Sequence, residues 1–515
     1  MAPQLGELVE IEQELAGGAR VASVRMHVVL RGRTPEAASN HARAMAASLE
    51  AAGFRTHVED ALAGTVWLST LPLAYRPDND RALRRGRLTL TANVAHLAPL
   101  YGSFAGTPSS TQLLLNRRGE PVGLSFFNGK EVPHALVTGK SGAGKSVYAN
   151  DLILNALRGG GRVWVLDRGG GYRKLCETLN GTYVTYDARR PRRLNPCGVA
   201  EAGGACPEDR NAFLRDWFTQ VVTHGKGDLC VRDQSLLSMA VRRAFASKPG
   251  REVILSDVCA ALVALSPEHP AAKDLAVSMS DYVKDGPAAR YFDGAHDIDF
   301  KKTFVAVDLA EAALEEAVAG ALVMALMQKI AEGARAWPEQ DKYLIVDEAW
   351  TLLKSPATAR FLENVSRTAR KSRLSLVIVS QQLTDLDGPA GRAILAQASY
   401  KVGLHQDAEA IRQATALLGL NPREAELYAS LRTVAGVYSE LFVKTPFGSG
   451  VTRLTLDPFA YWLTTSDPRD RDFLDKLVAE ARASGLDGRA ALRSALVEAA
   501  RRHPRGAPNS LSPGS

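Results

Sequence analysis

The sequence predicts an α/β protein in which a mostly parallel sheet carries a phosphate-binding loop. The first observation is Gly139–Ser146, which reads Gly-Lys-Ser-Gly-Ala-Gly-Lys-Ser and matches the pattern G-x-x-x-x-G-K-[ST]. The second is the alternation of apolar strand-like runs with helical segments from residue 120 onward. The third is Asp347–Glu348, which directly follows one of those runs, where a parallel sheet binds its ligands.

The glycine-rich segment has the flanks that a phosphate-binding loop requires. An apolar run, His134–Val137, precedes it, and a helix-like segment, Val147–Leu157, follows it. We expect the backbone N–H groups of such a loop to surround phosphate oxygens. Lys145 is expected to contact the β- and γ-phosphates, and the Ser146 hydroxyl to bind magnesium. The predicted nucleotide-binding residues of the loop are Gly139, Lys140, Ser141, Gly142, Ala143, Gly144, Lys145 and Ser146.

Composition is that of a globular chain with room for two or three domains. The 515 residues are 46% hydrophobic and 23% charged, and the net charge of +7 permits an anionic partner without demanding one. Five scattered cysteines without a C-x-x-C pair favour reduced thiols in a cytosolic protein. The acidic N-terminus does not resemble a signal peptide. The apolar run Ala317–Met327 is shorter than the ~20 residues of a membrane span and predicts a buried helix.

Residues 1–119 are predicted to form a truncated N-terminal α+β domain and a connector. A strand is expected at Val24–Leu30 and a second at Val66–Leu71. The alanine-rich segment Pro35–Ala52 between them predicts a helix, with Thr34 as its N-terminal cap.

Residues 120–467 are predicted to form the nucleotide-binding domain. A mostly helical insertion is expected at about 197–300, with its clearest helices at Asn211–Val222 and Asp233–Ala246. A long helix is expected over Ala310–Ala336. The predicted strands after the loop are Arg162–Leu166, Tyr183–Tyr186, Thr303–Val307, Tyr343–Val346, Leu376–Val379, 401–404 and 451–456. Residues 468–515 are predicted to hold two helices and a disordered end from His503.

Two acids follow the strand Tyr343–Val346. Asp347 is expected to hold magnesium through water, and Glu348 to orient or deprotonate the attacking water. The alternative is a strand end with two solvated acids, and the presence of the phosphate-binding loop counts against it. Asp167 ends another strand before three glycines and receives no assigned role.

Polar residues further along suggest contacts to the γ-phosphate. Gln381 ends the next predicted strand, where an amide can touch both the phosphate and the water, although it can also cap the strand. Arg367, Arg370 and Arg373 precede that strand. One of them can reach the γ-phosphate bound by a neighbouring subunit and offset its charge. Alternatively, the three arginines form a solvated helix face. The basic run 189–193 can contact DNA phosphates or form a solvated loop.

These segments together resemble the ATPases of type IV secretion and conjugation systems, the TraC-like group. The segments that carry the resemblance are 137–146, Val163–Asp167, Leu194–Pro196, Asp347–Trp350, Arg370–Lys371, Ser380–Gln382, Gly436–Glu440 and Leu456–Leu463. The resemblance implies a RecA-like P-loop NTPase with an inserted helical lobe and a shortened N-terminal domain. It also implies catalytic roles for Lys145, Glu348, Gln381 and Arg370, and metal binding by Ser146 and Asp347.

The resemblance further implies ATP and Mg²⁺ as cofactors and a hexamer as the assembly. It places the protein in the cytoplasm, peripheral at the inner membrane through components of a secretion channel. Single- or double-stranded DNA is a further candidate partner. The leading function is an ATP-hydrolysing motor for pilus assembly or for transfer of DNA or protein. The alternatives are a DNA translocase of the coupling-protein type and an ATP-binding assembly scaffold with negligible turnover.

Overall fold

The computed structural model describes residues 11–71, 74, 76–97, 102–128, 131–186, 192–198, 207–309, 316–347, 372–381 and 389–507. Contacts between residues divide the chain into two units, residues 1–102 and residues 103–515.

The first unit contains a short antiparallel sheet and several helices. Its elements are β1 (Val21–Val24), α1 (Pro35–Ala51), α2 (Ala63–Ser69), α3 (Pro77–Leu83), β2 (Arg87–Leu90) and α4 (Thr91–Leu97). The predicted helix is confirmed as α1, and the Thr34 hydroxyl caps it by accepting from the Ala37 N–H at 3.2 Å. The apolar core of this unit is thin, because Val66 and Leu90 are its buried hydrophobic residues in the described part.

The strand predicted at Val66–Leu71 is wrong, because its first four residues belong to helix α2, which ends at Ser69. The Val66 N–H bonds to the Leu62 carbonyl at 2.9 Å, and the Ser69 hydroxyl bonds to the Val66 carbonyl. A six-residue apolar run fits a short buried helix as well as a strand, so periodicity alone does not separate them. The first strand also lies earlier than predicted, at Val21–Val24 instead of Val24–Leu30.

The second unit is built on one large sheet. Its strands are β3 (Gln112–Asn116), β4 (Pro121–Leu124), β5 (Ala135–Thr138), β6 (Arg162–Asp167), β7 (Thr182–Thr185), β8 (Phe304–Asp308), β9 (Lys342–Asp347), β10 (Leu374–Ser380), β11 (Tyr400–Gly403), β12 (Thr433–Val434), β13 (Tyr438–Thr445) and β14 (Gly448–Leu454). Parallel strands follow one another in the order β11-β5-β10-β9-β6-β8-β7, with β7 at one edge of the sheet. The strands β13, β14, β3 and β4 extend the β11 edge in antiparallel pairs, and β12 pairs with β13. The strands predicted after the loop are all present.

The central strands are apolar because both faces of the sheet are covered. Val163 and Val165 pack in one core cluster, whereas Trp164 and Leu166 pack in the cluster on the other side. This alternation follows from the two-residue period of a strand. Burial on both faces explains why these strands read as continuous apolar runs.

Helices surround the sheet and form the predicted insertion. They are α5 (Lys145–Arg158), α6 (Arg173–Thr178), α7 (Pro207–Val222), α8 (Val231–Ser247), α9 (Leu255–Leu265), α10 (Ala271–Ser278), α11 (Ala289–Phe292), α12 (Glu316–Ala336), α13 (Pro389–Gln397), α14 (Ala408–Leu417), α15 (Pro422–Ala429), α16 (Pro458–Thr464), α17 (Pro468–Ala483) and α18 (Gly488–Arg502). The inserted helices α7 to α11 lie between β7 and β8. The Trp217 indole of α7 donates to the Ala321 carbonyl of α12 at 2.8 Å and anchors this lobe.

Helix α12 is the long helix predicted before the acidic strand. The part predicted at 310–315 lies outside the described residues. Within α12, Ala317–Ala336 is long and apolar enough by length and composition to cross a membrane, which the shorter run seen in the sequence did not indicate. Most of this segment, 61%, is buried inside the protein, as expected for a core helix.

Two segments at the ends of the second unit differ from expectation. Residues 112–116, predicted to lie in a connector, form strand β3 and pair with β14. Residues 503–507, predicted to be disordered, are held in place. The His503 carbonyl accepts from the Trp462 indole at 2.7 Å, and the Ala507 N–H donates to the Asp470 carboxylate at 2.8 Å. The prediction of disorder is therefore wrong for these residues, and 508–515 lie outside the described part.

Candidate nucleotide site

The glycine-rich loop connects strand β5 to helix α5 at the carboxyl edge of the sheet. Gly142 has φ of +75° and Gly144 has φ of +96°, a backbone conformation that other residues rarely adopt. Gly144 is also the residue from which α5 begins. The strand, loop and helix predicted from the sequence are therefore in place.

The back of the loop packs against residues that are distant in sequence. A Cβ added to Gly139 would lie 2.7 Å from the Leu404 Cβ, and one added to Gly144 would lie 3.2 Å from the Ser439 Oγ. The Lys140 N–H donates to the His405 carbonyl at 3.1 Å. Leu404, His405 and Ser439 were not predicted from the sequence as part of the site. Only Ser439 carried a signal, because it lies in the Gly436–Glu440 segment of the family resemblance.

Lys145 and Ser146 occupy the first turn of α5. The Lys145 side chain is buried, and its ammonium donates to the carbonyl oxygens of Gly139 at 2.8 Å and Lys140 at 3.0 Å. Ser146 is half-buried beside it. The positive charge of Lys145 is thus held within the loop, as binding of phosphate groups requires.

Asp347 ends strand β9, two strands away from the loop strand β5. Its Oδ2 accepts a hydrogen bond from the Tyr172 hydroxyl at 2.9 Å. Asp167 and Asp308 end the next two strands, β6 and β8, and are directly paired in the sheet register. Three carboxylates therefore lie at neighbouring strand ends.

The surroundings of the Asp167 carboxylate perturb its acidity. Burial, followed by the negative charges of Asp347 and Asp308, raises the pKa of Asp167 to about 7. Hydrogen bonds from the backbone N–H groups of Arg168 at 2.7 Å and Gly171 at 2.9 Å act in the opposite direction. Asp167 thus faces the other acids and the turn that follows its own strand.

Gln381 directly follows strand β10, which lies between β5 and β9. Ser380 pairs with Thr138 in the register, so Gln381 and Gly139 follow paired residues. The Gln381 carbonyl accepts from the buried Gln406 side chain at 3.1 Å. Gln406 was also missed from the sequence, because nothing local distinguishes it from other polar loop residues.

Several predicted residues cannot be placed. Glu348, Arg367 and Arg370 lie outside the described residues, as do residues 189–191 of the basic run. Arg373 is described, and its guanidinium Nε donates to the Asp341 carboxylate at 2.9 Å. Both residues precede the amino ends of β10 and β9, on the edge of the sheet opposite the loop. This position separates Arg373 from the site of its own chain.

The described residues fit a magnesium nucleotide. The Ser146 hydroxyl and the Asp347 carboxylate offer oxygen ligands, which Mg²⁺ prefers. Lys145 offers a cation, and a Cβ at Gly142 would meet open space, so the front of the loop can admit a phosphate chain. The loop therefore has a packed back and an accessible front.

The loop, the parallel strands and the acidic strand end all lie within residues that match a known family. The family described as the TraG P-loop domain matches residues 119–246 and 269–487, which is more than half of the chain. The chain belongs to the TraG P-loop domain family. A further family, described as TraC protein, matches residues 1–75.

Curated relatives of this P-loop family member support the resemblance seen in the sequence. Protein TraC of Escherichia coli (strain K12) is 26% identical over 407 residues, which cover 75% of this chain and 45% of TraC. Conjugal transfer protein TrbE of Rhizobium radiobacter is 22% identical over 433 residues, covering 80% of this chain and 50% of TrbE. The resemblance to type IV secretion and conjugation ATPases is confirmed. The chain spans about half the length of these relatives.

A solved structure supports the fold. VirB4 of Thermoanaerobacter pseudethanolicus superposes with a TM-score of 0.59 at 20% identity, covering 70% of this chain and 99% of that chain. The predicted α/β P-loop NTPase fold, with a mostly parallel sheet, is confirmed.

Proposed function

We propose that this chain is an ATP-hydrolysing motor of a type IV secretion or conjugation system, powering pilus assembly or the transfer of DNA or protein. One observation carries the proposal. The adjacent parallel strands β5, β10 and β9 end in the phosphate-binding loop, in Gln381 and in Asp347, respectively. An NTPase of this class needs these three functions side by side.

Each residue of the candidate site has a separate proposed role in ATP hydrolysis. The loop 139–144 and Lys145 bind the phosphates, and Ser146 and Asp347 hold Mg²⁺. When bound there, the metal would supply positive charge that offsets the negative charge of the phosphates. Glu348 accepts a proton from the attacking water, while Gln381 orients that water. The oxygen of water bonds to the γ-phosphorus as the bond to the β-phosphate oxygen breaks, giving ADP and phosphate.

The assembly and the partners belong to the same proposal. The relative TrbE is named a conjugal transfer protein, which supports a conjugation context, and VirB4 shares the fold. We propose a hexamer in which Arg370 reaches the neighbouring nucleotide. We also propose a cytoplasmic protein that is peripheral at the inner membrane through channel components, with single- or double-stranded DNA as a further partner.

Lys145→Ala should abolish ATP hydrolysis, because it removes the buried cation that the loop carbonyls hold in place. Phosphate release by purified protein measures the effect. Arg158→Ala is the matched control, because Arg158 is an exposed cation at the opposite end of the same helix, and it should retain the parent rate. Parent-level hydrolysis by Lys145→Ala would show that the site is elsewhere.

The same assay separates the competing functions. Strong stimulation of phosphate release by single-stranded DNA would favour a DNA translocase of the coupling-protein type. Nucleotide binding by the parent without measurable phosphate release would favour an assembly scaffold. Turnover that does not depend on DNA supports the secretion motor.

A further inference from the structure

The hydroxyl of Tyr172 makes a partly buried contact with the acid proposed to hold magnesium. Tyr172 is fully buried at the beginning of helix α6. Its hydroxyl donates to the Asp347 Oδ2 at 2.9 Å, although the two residues lie 175 positions apart. A buried tyrosine hydroxyl needs a hydrogen-bond partner, and here that partner is a carboxylate of the candidate site.

The turn between β6 and α6 holds Tyr172 in place. The Asp167 carboxylate accepts from the backbone N–H groups of Arg168 and Gly171, which fixes the turn across its two ends. Gly170 has φ of +69°, so the turn depends on glycine. The Asn150 side chain of helix α5 donates to the Gly171 carbonyl at 3.4 Å. The turn is therefore connected to the same helix that begins at the phosphate-binding loop.

The Asp347 carboxylate needs a contact that fixes its orientation, because other carboxylates lie near it. Asp167 ends the adjacent strand β6 and Asp308 ends the strand beyond it, β8, and like charges at short distance repel. A neutral hydroxyl that donates to one carboxylate oxygen limits the rotation of the group without cancelling its negative charge. Partners of this kind orient metal ligands, and their loss typically costs about 10- to 100-fold in metal affinity or activity.

We propose that Tyr172 is a positioning residue that orients the Asp347 carboxylate toward Mg²⁺. This role rests on the proposed function, because it presupposes that Asp347 serves a magnesium nucleotide. It also explains the Asp167-Arg-Gly-Gly-Gly-Tyr segment, to which sequence reasoning gave no role. Asp167 shapes the turn, and the turn places the hydroxyl.

Tyr172→Phe tests the proposal, because it removes the hydroxyl and keeps the ring. The measurement is the affinity for a fluorescent ATP analogue, titrated with Mg²⁺ and repeated in EDTA. We expect the Mg²⁺ concentration that half-saturates the increase in nucleotide affinity to rise about 10-fold. The affinity in EDTA should stay at the parent value, which a general loss of structure would not allow.

Tyr183→Phe is the matched control. The Tyr183 hydroxyl donates to the Asp308 Oδ2 at 2.9 Å, so this variant removes the neighbouring tyrosine–aspartate contact. It should leave the Mg²⁺ requirement unchanged. An equal shift in both variants would mean that any loss of a donor in this acidic region has the same effect, and it would overturn the specific role of Tyr172.

Two outcomes separate this inference from the proposed function. A parent protein that binds the analogue with Mg²⁺, together with a Tyr172→Phe variant that has the parent Mg²⁺ requirement, overturns the role of Tyr172 alone. A parent protein that fails to bind the analogue under any condition overturns the proposed function and the positioning role with it. Thermal unfolding of each variant checks that the ring still packs in the core.

Discussion

At the scale of single residues, the three carboxylates at the strand ends accept hydrogen bonds from uncharged donors. Asp347 accepts from the Tyr172 hydroxyl, Asp308 from the Tyr183 hydroxyl, and Asp167 from two backbone N–H groups. A neutral donor favours the charged form of a carboxylate without cancelling its negative charge, and at Asp167 the two N–H donors oppose the rise in pKa that burial and the neighbouring acids cause. These donors allow three acids to lie close together at the strand ends and still serve a candidate metal site.

Glu348→Gln should bind ATP and turn it over slowly. The change keeps the size of the side chain and removes the group that accepts the proton, while Lys145 and the loop remain available for the phosphates. We expect at least a 100-fold fall in the single-turnover rate, in the range that a general base contributes. Nucleotide affinity, measured on the same preparation, should stay near the parent value. Loss of affinity with no separate effect on the chemical step would contradict the assignment of Glu348 as base.

The sequence predicts those site residues whose signals are local. Lys145, Ser146 and Asp347 lie in short motifs that include their own structural context. His405, Gln406 and Tyr172 have no such motif. Strand β11 lies beside β5 although about 260 residues separate them, so the contact between His405 and the loop depends on strand order. Strand order is a property of the complete sheet and cannot be read from a local pattern.

At the scale of elements, helix α6 connects the acidic region to the C-terminal helices. The Lys174 ammonium donates to the carbonyls of Trp462 at 2.6 Å and Thr465 at 2.9 Å, at the end of helix α16. Tyr172 directly precedes the same helix. The segment Leu456–Leu463, noted in the sequence as part of a family resemblance, therefore supports the element that carries Tyr172.

Lys174→Met should lower the melting temperature, because two carbonyl groups lose their donor, at a cost of about 1–3 kcal/mol for each group left unsatisfied. Differential scanning calorimetry measures the change. Burial lowers the pKa of Lys174 to about 8, below its ordinary value of 10.5. Between these two values the unfolded chain binds more protons than the folded chain, so the stability of the parent relative to the variant should rise with pH.

The control for this prediction is Arg489→Ala. The Arg489 guanidinium donates to the Asn180 side chain at 2.5 Å and joins α18 to the residues that follow α6, but this contact is exposed. We expect a change of less than about 0.5 kcal/mol, as for most surface substitutions. A pH-independent difference between the parent and Lys174→Met would contradict the depressed pKa of Lys174.

Long or strongly apolar elements were predicted well, and short ones less well. Strands β6, β8, β9 and β10 are buried on both faces, so their composition identifies them. Helix α2 was mistaken for a strand, because seven residues are too few for the helical period to show. Residues 503–507 were expected to be disordered from composition, but contacts with Trp462 and Asp470 order them. Such contacts between distant segments leave no signature in a proline- and glycine-rich sequence.

At the scale of the whole molecule, the parallel part of the sheet was predictable and its antiparallel part was not. Alternating strands and helices indicate parallel neighbours. The strands β3, β4, β13 and β14 instead extend the β11 edge, and β3 comes from a segment that was expected to be a connector. The edge includes β13, which carries Ser439 against Gly144 of the loop. The antiparallel edge therefore contributes to the back of the nucleotide site.

The proposed hexamer is a ring in which neighbouring subunits share each nucleotide site. The family resemblance makes Arg370 the leading candidate to serve a neighbouring subunit, whereas Arg373 is paired with Asp341 at the end of the sheet opposite the loop. In a head-to-tail ring each subunit completes the site of the next. An arginine supplied in this way can raise the rate about 10³-fold or more. We expect Lys145→Ala and Arg370→Ala to be inactive separately and to regain part of the activity when mixed, measured as phosphate release.

We attribute the recovery to sites that combine residues from two subunits, and a second mixture of variants tests this explanation. Lys145→Ala subunits still present Arg370, and Arg370→Ala subunits still bind ATP, so some sites in a mixed ring contain both intact residues. Mixing Lys145→Ala with Glu348→Gln should give no recovery, because both of these residues belong to the site within one chain. Light scattering establishes that the subunits assemble together. Absence of recovery in co-assembled rings would show that Arg370 acts within its own subunit or has no catalytic role.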